Sequence, residues 1–240
     1  LLGRPSNGNL EWRHDSGVTL GEFEAESSLG LEAEFRIRWY EAHRERFLSH
    51  DVAYAEALAR DDGFSDSAPE ALGLLDALGR DGDVEAFRDG LQAWAVKPGT
   101  LAFNGFSGQM MMNQLVKSSD DPTELARLLL DGLAVPENAE DAQRKIQALT
   151  DYVLRIRIGA HPAPGHIPFL LSYFWGLADH EHWPVLWASA AKYLEFSTGA
   201  ALPQVPADRY SEFLRRVAEI TEDNLEFERV ANWWTEEGPL

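Results

Sequence analysis

The chain has 240 residues, of which 45% are hydrophobic, including eight Trp and twelve Phe. That supplies a core and argues against intrinsic disorder. Cysteine is absent, so disulfides, thiolate metal sites and cysteine nucleophiles are excluded. Forty acidic residues against 21 basic ones leave a net charge of −19, which disfavours non-specific binding to nucleic-acid phosphates.

The length suits one large domain, or one domain with a small extension. The opening LLGRPSNGNLEWRHD lacks the apolar core of a signal peptide, and no apolar run reaches the roughly 18 residues needed to span a bilayer. The sequence reading is therefore cytoplasmic, with no membrane role. The chain begins at Leu1 without a methionine, as a trimmed chain or a segment of a longer one would. Lysine occurs only at Lys97, Lys117, Lys145 and Lys192. Acid excess with so little lysine fits a salt-rich cytoplasm, and equally a GC-rich genome that favours arginine codons.

In chain order, residues 1–28 read as an N-terminal extension. GVTLGEFEAES (17–27) partly alternates and could form a short strand. From 29 to 240 the periodicity is helical, which predicts a mainly α, single multi-helix domain. Over 31–47, Leu31, Phe35, Trp39 and Ala42 set an apolar stripe, with Glu32/Arg36 and Glu34/Arg38 as i,i+4 pairs. SAPE (67–70) reads as a capping box with Ser67 at the N-cap and Gly79 as the stop. A sub-boundary is expected between 60 and 100. Val84, Phe87, Leu91 and Trp94 line the next helix. TLAFNGF (100–106) could be an extended lead-in, and Ser107 a cap for the helix carrying Met110, Met111 and Met112. DPTE (121–124) starts another helix, with Asp121 as cap, Glu124 reaching back and Gly132 as its end.

A long helix follows over about 139–158, with Ile146, Leu149, Val153 and Ile156 inward. IPFLLSYFWGL (167–177) and WPVLWASAAKYLEF (183–196) are apolar nearly all round. They read as a buried central helical hairpin with ADHEH (178–182) as its exposed turn. Near 207–222, Tyr210, Phe213, Leu214, Val217 and Ile220 repeat the amphipathic pattern. Asn224 can cap a last helix with Phe227, Val230, Ala231 and Trp234 inward.

Sites of chemistry are sparse. His161, His166, His180 and His182 lie near Asp179 and Glu181, and imidazole with carboxylate suits zinc or iron. The H-x-H spacing in a tight turn, the Pro/Gly loop HPAPGH and the lack of HExxH argue against a metal, and none is expected. No nucleophile elbow, phosphate-binding loop or dinucleotide fingerprint is present, so neither a catalytic residue nor a cofactor is assigned. Arg155, Arg157, Arg215 and Arg216, with Trp233 and Trp234, could meet nucleic acid, although arginines on amphipathic helices normally pair with acids. Three consecutive methionines cover about 200° of a helical wheel, so their helix must be wedged between layers.

LAFNGFSGQMMMNQLV (101–116), the IPFLLSYFWGL and WPVLW stretches, RYSEFLRRVAEI and FERVANWW together resemble a helical region of prokaryotic defence proteins. That region lies beside the AAA+ GTPase of modified-cytosine restriction enzymes of the McrB type. The resemblance covers about 90–235 and rests on apolar and aromatic positions. It implies a non-enzymatic accessory or target-sensing module of an anti-phage restriction assembly, DNA-associated through its complex. The motor (an AAA+ GTPase or ATPase) and the nuclease would be supplied by partner chains. Asn104, Gln109, Asn113 and Gln114 are the polar members of the matching motif. A protein-interaction scaffold with no nucleic-acid role is the alternative, and a metal-dependent hydrolase using the region from His161 to His182 is the third.

Overall fold

In the computed structural model, residues 20–97, 100, 103, 105 and 107–237 are described, with side chains from Glu34 to Glu236. Ten α-helices follow in order: α1 (Leu20–Leu48), α2 (Asp51–Asp81), α3 (Val84–Ala95), α4 (Gln109–Ser118), α5 (Pro122–Leu133), α6 (Ala139–Ile156), α7 (Ile167–Asp179), α8 (Ala188–Thr198), α9 (Pro206–Ile220) and α10 (Asn224–Glu237). No strand occurs among the described residues; Ile158 and His161 form an isolated bridge. Helix α7 is the axis. It is buried from Ile167 to Leu177 except at half-buried Phe169, and it packs against α2, α5, α6 and α9. The remaining helices wrap it, with α8 on α10, α3 on α2 and α4, and α1 on α9 and α10.

Local chemistry sets the helix ends. Asp83, Asp121 and Asn138 cap α3, α5 and α6 by accepting hydrogen bonds from backbone N–H groups. Gly82 ends α2 in the left-handed conformation (φ 68°) that a side chain would strain. The inward stripes expected on α3, α6, α9 and α10 are found, with Phe87, Leu91, Ile146, Val153, Phe213 and Phe227 among their most buried members.

Several local expectations are revised. The strand expected within 17–27 is helical backbone from Leu20 onward, and 17–19 lie outside the described residues. The inward face of α1 is Arg36, Tyr40, His43 and Phe47, whereas Phe35 is 55% exposed. Polar groups sit on that face because they find partners there: Arg36 donates to Glu219 at 2.6 Å and Tyr40 to Glu226 at 3.2 Å. The Glu34/Arg38 pair forms as expected, at 2.5 Å. SAPE caps nothing. Helix α2 runs unbroken through it, with Pro69 inside and the Ser67 hydroxyl donating to the Phe64 carbonyl. The stop is Gly82 rather than Gly79. The span 60–81, half of the expected sub-boundary, is thus continuous helix.

Gly132 lies inside α5, which ends at Leu133. Its smallness admits Leu171, 3.2 Å from where a Cβ would stand, and its carbonyl accepts from the Trp175 indole at 2.8 Å. Glu124 pairs with Arg155 at 2.6 Å. Asp223, not Asn224, caps α10.

The buried chain reversal after α7 is present, but its two arms differ. Residues 183–187 are an extended strap, and α8 is helical only from Ala188. Trp183, Pro184, Val185 and Leu186 are buried nonetheless. A buried extended segment needs partners for its N–H groups. Val185 donates to the Glu228 carboxylate at 2.7 Å, and Leu186 to the Ser172 hydroxyl at 3.0 Å. The strap crosses α7 at Gly176, where a Cβ would stand 2.7 Å from Val185.

Candidate functional site

A cavity of about 150 Å³ lies between α2, α10, the end of α7 and the strap. Helix α2 brings Ala57, Arg60, Asp61 and Phe64 to it, positions that share one helical face. Helix α10 brings Glu228, Arg229 and Asn232; His180 comes from the turn after α7, and Trp187 from the end of the strap. Phe64 and Trp187 stand edge to face, with ring centres 6.5 Å apart.

Charged groups inside this seam are paired. Glu228, with 6% of its side chain exposed, accepts from His180 Nε2 at 3.1 Å, from Val185 N–H and from the Trp187 indole. Asp61 accepts from Arg229 Nε. Arg60 donates through Nη1 to Glu236 at 2.9 Å, and Asn232 accepts from the Ser189 hydroxyl. Burial works against a charged imidazole at His180, but the Glu228 carboxylate, and Asp61 behind it, outweigh that and raise its pKa above the ordinary value. Burial raises Asp61 above the usual carboxylate range against the pull of Arg229 and His180.

The four histidines do not converge. His161 is exposed in the loop after α6. His166 meets Ser107 Oγ through Nδ1 at 2.8 Å, and its pKa is lowered by burial and by nearby His161. His180 faces Glu228, and His182 pairs with Asp179 at 2.8 Å on the surface. Among the described residues, no three His, Cys, Asp or Glu side chains are grouped to hold a metal ion. Ser107 does not cap α4: its hydroxyl goes to His166, and Gly108 holds the cap position.

The methionine motif builds the core. Met111 and Met112 are fully buried and Met110 is 42% exposed. Phe103 is fully buried, its ring 4.9 Å from that of Tyr173. Its carbonyl accepts from Gln109 N–H at 2.8 Å. Gly108 permits this turn, since a Cβ there would stand 2.3 Å from that carbonyl oxygen. Gln109 is buried and donates to Asn113 at 3.1 Å, while Asn113 and Gln114 are half-buried. Asn104 lies outside the described residues.

The candidate arginines have internal partners in different places. Arg155 pairs with Glu124 and lies 5.1 Å over the Tyr152 ring. Arg157 donates twice to the Gly159 carbonyl. Arg215 forks onto Glu212 and also binds Glu219. Arg216 is buried and donates to Glu212, Thr198 and the Ala200 carbonyl. Arg215 first, then Arg216, hold the Glu212 carboxyl down at about 2. Trp233 and Trp234 are buried in the core and cannot stack on bases.

The cavity went unnoticed in the sequence because its parts are far apart in the chain. The signal was a carboxylate, Glu228, on the edge of the apolar stripe formed by Phe227, Val230 and Ala231. Comparison with family models, curated proteins and solved structures finds no match to this chain. No helix among the described residues is long and apolar enough to cross a membrane.

Proposed function

We propose that this chain is a non-enzymatic helical module, accessory or target-sensing, of a prokaryotic anti-phage restriction assembly, acting with a motor and a nuclease carried by other chains. The support is the resemblance over about 90–235, together with what its residues do. Phe103, Met111, Met112, Tyr173, Phe174 and Trp175 are all buried in one core. The shared motif therefore specifies a framework, the kind of feature related modules keep while their surfaces diverge. Internal pairing of Arg155, Arg157, Arg215 and Arg216 favours protein partners over direct nucleic-acid contact by these residues.

The test is co-expression with neighbouring genes that encode an AAA+ GTPase or ATPase, or a nuclease. The expected outcome is a stoichiometric complex on gel filtration and loss of phage protection when this chain is deleted. Failure to co-purify with motor or nuclease, together with unchanged phage plating, would sink the proposal. The arginine pairing also supports the alternative, a protein-interaction scaffold with no nucleic-acid role of its own. That reading predicts that the complex binds DNA equally well after Arg155, Arg157 and Arg215 are changed to Gln.

A further inference from the structure

The polar groups around the α2–α10 cavity are not matched in number. Glu228 has both oxygens engaged, by His180, the Val185 N–H and the Trp187 indole. Arg229 engages only Nε, with Asp61, and its two terminal nitrogens make no hydrogen bond to a described residue. Arg60 uses only Nη1. Asn232 uses its oxygen for Ser189, leaving the amide nitrogen without a partner among the described residues. Against these spare donors stands one spare acceptor, Asp61 Oδ1. The cavity wall therefore offers an excess of N–H groups, two of them on guanidinium forks, beside the Phe64 and Trp187 rings.

We propose that this cavity binds a small oxyanion, a carboxylate or phosphate ester, carried on a flat apolar body. A guanidinium with two free terminal nitrogens presents the paired N–H geometry that such groups accept, and Asn232 adds a third donor. The aromatic wall holds the apolar part. Size sets the limit: an apolar cavity of about 150 Å³ holds a molecule such as benzene, so one ring or a short chain fits. The net charge of −19 repels anions at a distance, so affinity must come from contacts inside the cavity, where water is displaced. Arg60, with 34% of its side chain exposed, is the most accessible of the paired cations here.

Every residue lining the cavity belongs to this chain, so the purified chain suffices for the test. Benzoate and phenyl phosphate are titrated by calorimetry at pH 6.5, with benzamidine as the cationic counterpart and benzyl alcohol as the neutral one. At least one of the two anions should saturate with a Kd of about 1 mM or tighter, while benzamidine and benzyl alcohol should not. Arg229→Lys keeps the charge beside Asp61 but loses the fork, and should weaken binding at least tenfold. Asn232→Ala gives a second reading of the same contact, a severalfold loss, should Arg229→Lys fail to fold. Circular dichroism on each sample establishes that the fold is kept. Absence of saturable binding by either anion, binding of benzamidine as tightly as the anions, or unchanged affinity in a folded variant would each overturn the proposal.

Discussion

Two regions of this protein bury polar groups by opposite means. Around α7, three buried polar tips reach backbone carbonyls: Trp175 that of Gly132, Tyr210 that of Pro184, and Tyr173 that of Thr100. Those carbonyls are fixed by the chain, so rings and carbonyls close the space without ionised groups. At the α2–α10 seam, side chains pair with side chains: Glu228 with His180, and Asp61 with Arg229. Ionised groups need room and partners, and the seam keeps a cavity. The contrast separates what holds the fold from what is free to bind, because a buried ion pair is weak evidence for stability and a close-packed aromatic core is strong evidence.

The largest effect that can break this contrast comes from the two tryptophans. Trp175→Ala removes a fully buried ring and its bond to Gly132, and should cost about 3–5 kcal/mol in urea unfolding. Trp187→Ala, at a half-buried ring on the cavity wall, should cost less, about 2–3 kcal/mol, since less surface returns to water although buried Glu228 loses a donor. Equal losses would mean the seam packs as tightly as the core. Next come the methionines. Met111→Gln and Met112→Gln each bury an amide in the core and should cost about 2–3 kcal/mol, Met→Leu at either position less than about 1.5 kcal/mol, and Met110→Gln about 0.5 kcal/mol or less. Stable Gln variants at 111 and 112 that lose a partner would show that the motif is a recognition surface.

The seam itself is read by pH. Its raised native pKa lets His180 stabilise the fold fully below its ordinary value of 6.5, and that contribution is lost as pH rises through the raised value. Asp61, raised by burial, contributes stability that is present below its ordinary 3.8 and is lost as pH rises through its raised value. Glu228→Gln should cost about 2 kcal/mol at pH 6 and flatten the decline in stability above pH 6.5; an unchanged profile would remove His180 from the account. Smallest is the effect of salt. Screening of the −19 charge should raise Tm by a few degrees from low salt to molar KCl. A flat response would leave codon usage as the reason for the acidity.

Helices were legible in the sequence where one face is apolar at steady spacing, as on α3, α6, α9 and α10. The signal failed where local chemistry lost to distant packing. SAPE has a capping signature, yet continuing α2 places Phe64, Ala68 and Ala71 on one buried stripe. Pro69 leaves the Ser65 carbonyl without its helical donor, and that carbonyl can turn to water, since Ser65 and Pro69 are both exposed. WPVLW has the composition of a buried helix. It is extended because Ser172 and Glu228 take over hydrogen bonds that a helix would have made internally. The cavity was illegible for the same reason: Asp61, His180 and Glu228 are unremarkable acids and a turn histidine until three separate segments meet.

The clamp by Glu228 also has a consequence for the order in which the chain is made. The strap is synthesised well before α10, yet its Val185 N–H and Trp187 indole are satisfied only by a carboxylate more than 40 positions further on. Until that last helix leaves the ribosome, the segment that closes over α7 lacks the Glu228 clamp and keeps the Leu186 N–H bond to Ser172 and the Tyr210 bond to the Pro184 carbonyl. Assembly of this domain is therefore a late event in translation, and nascent chains halted before residue 224 should be sensitive to proteases along 183–187 while helices of short-range contact are already formed.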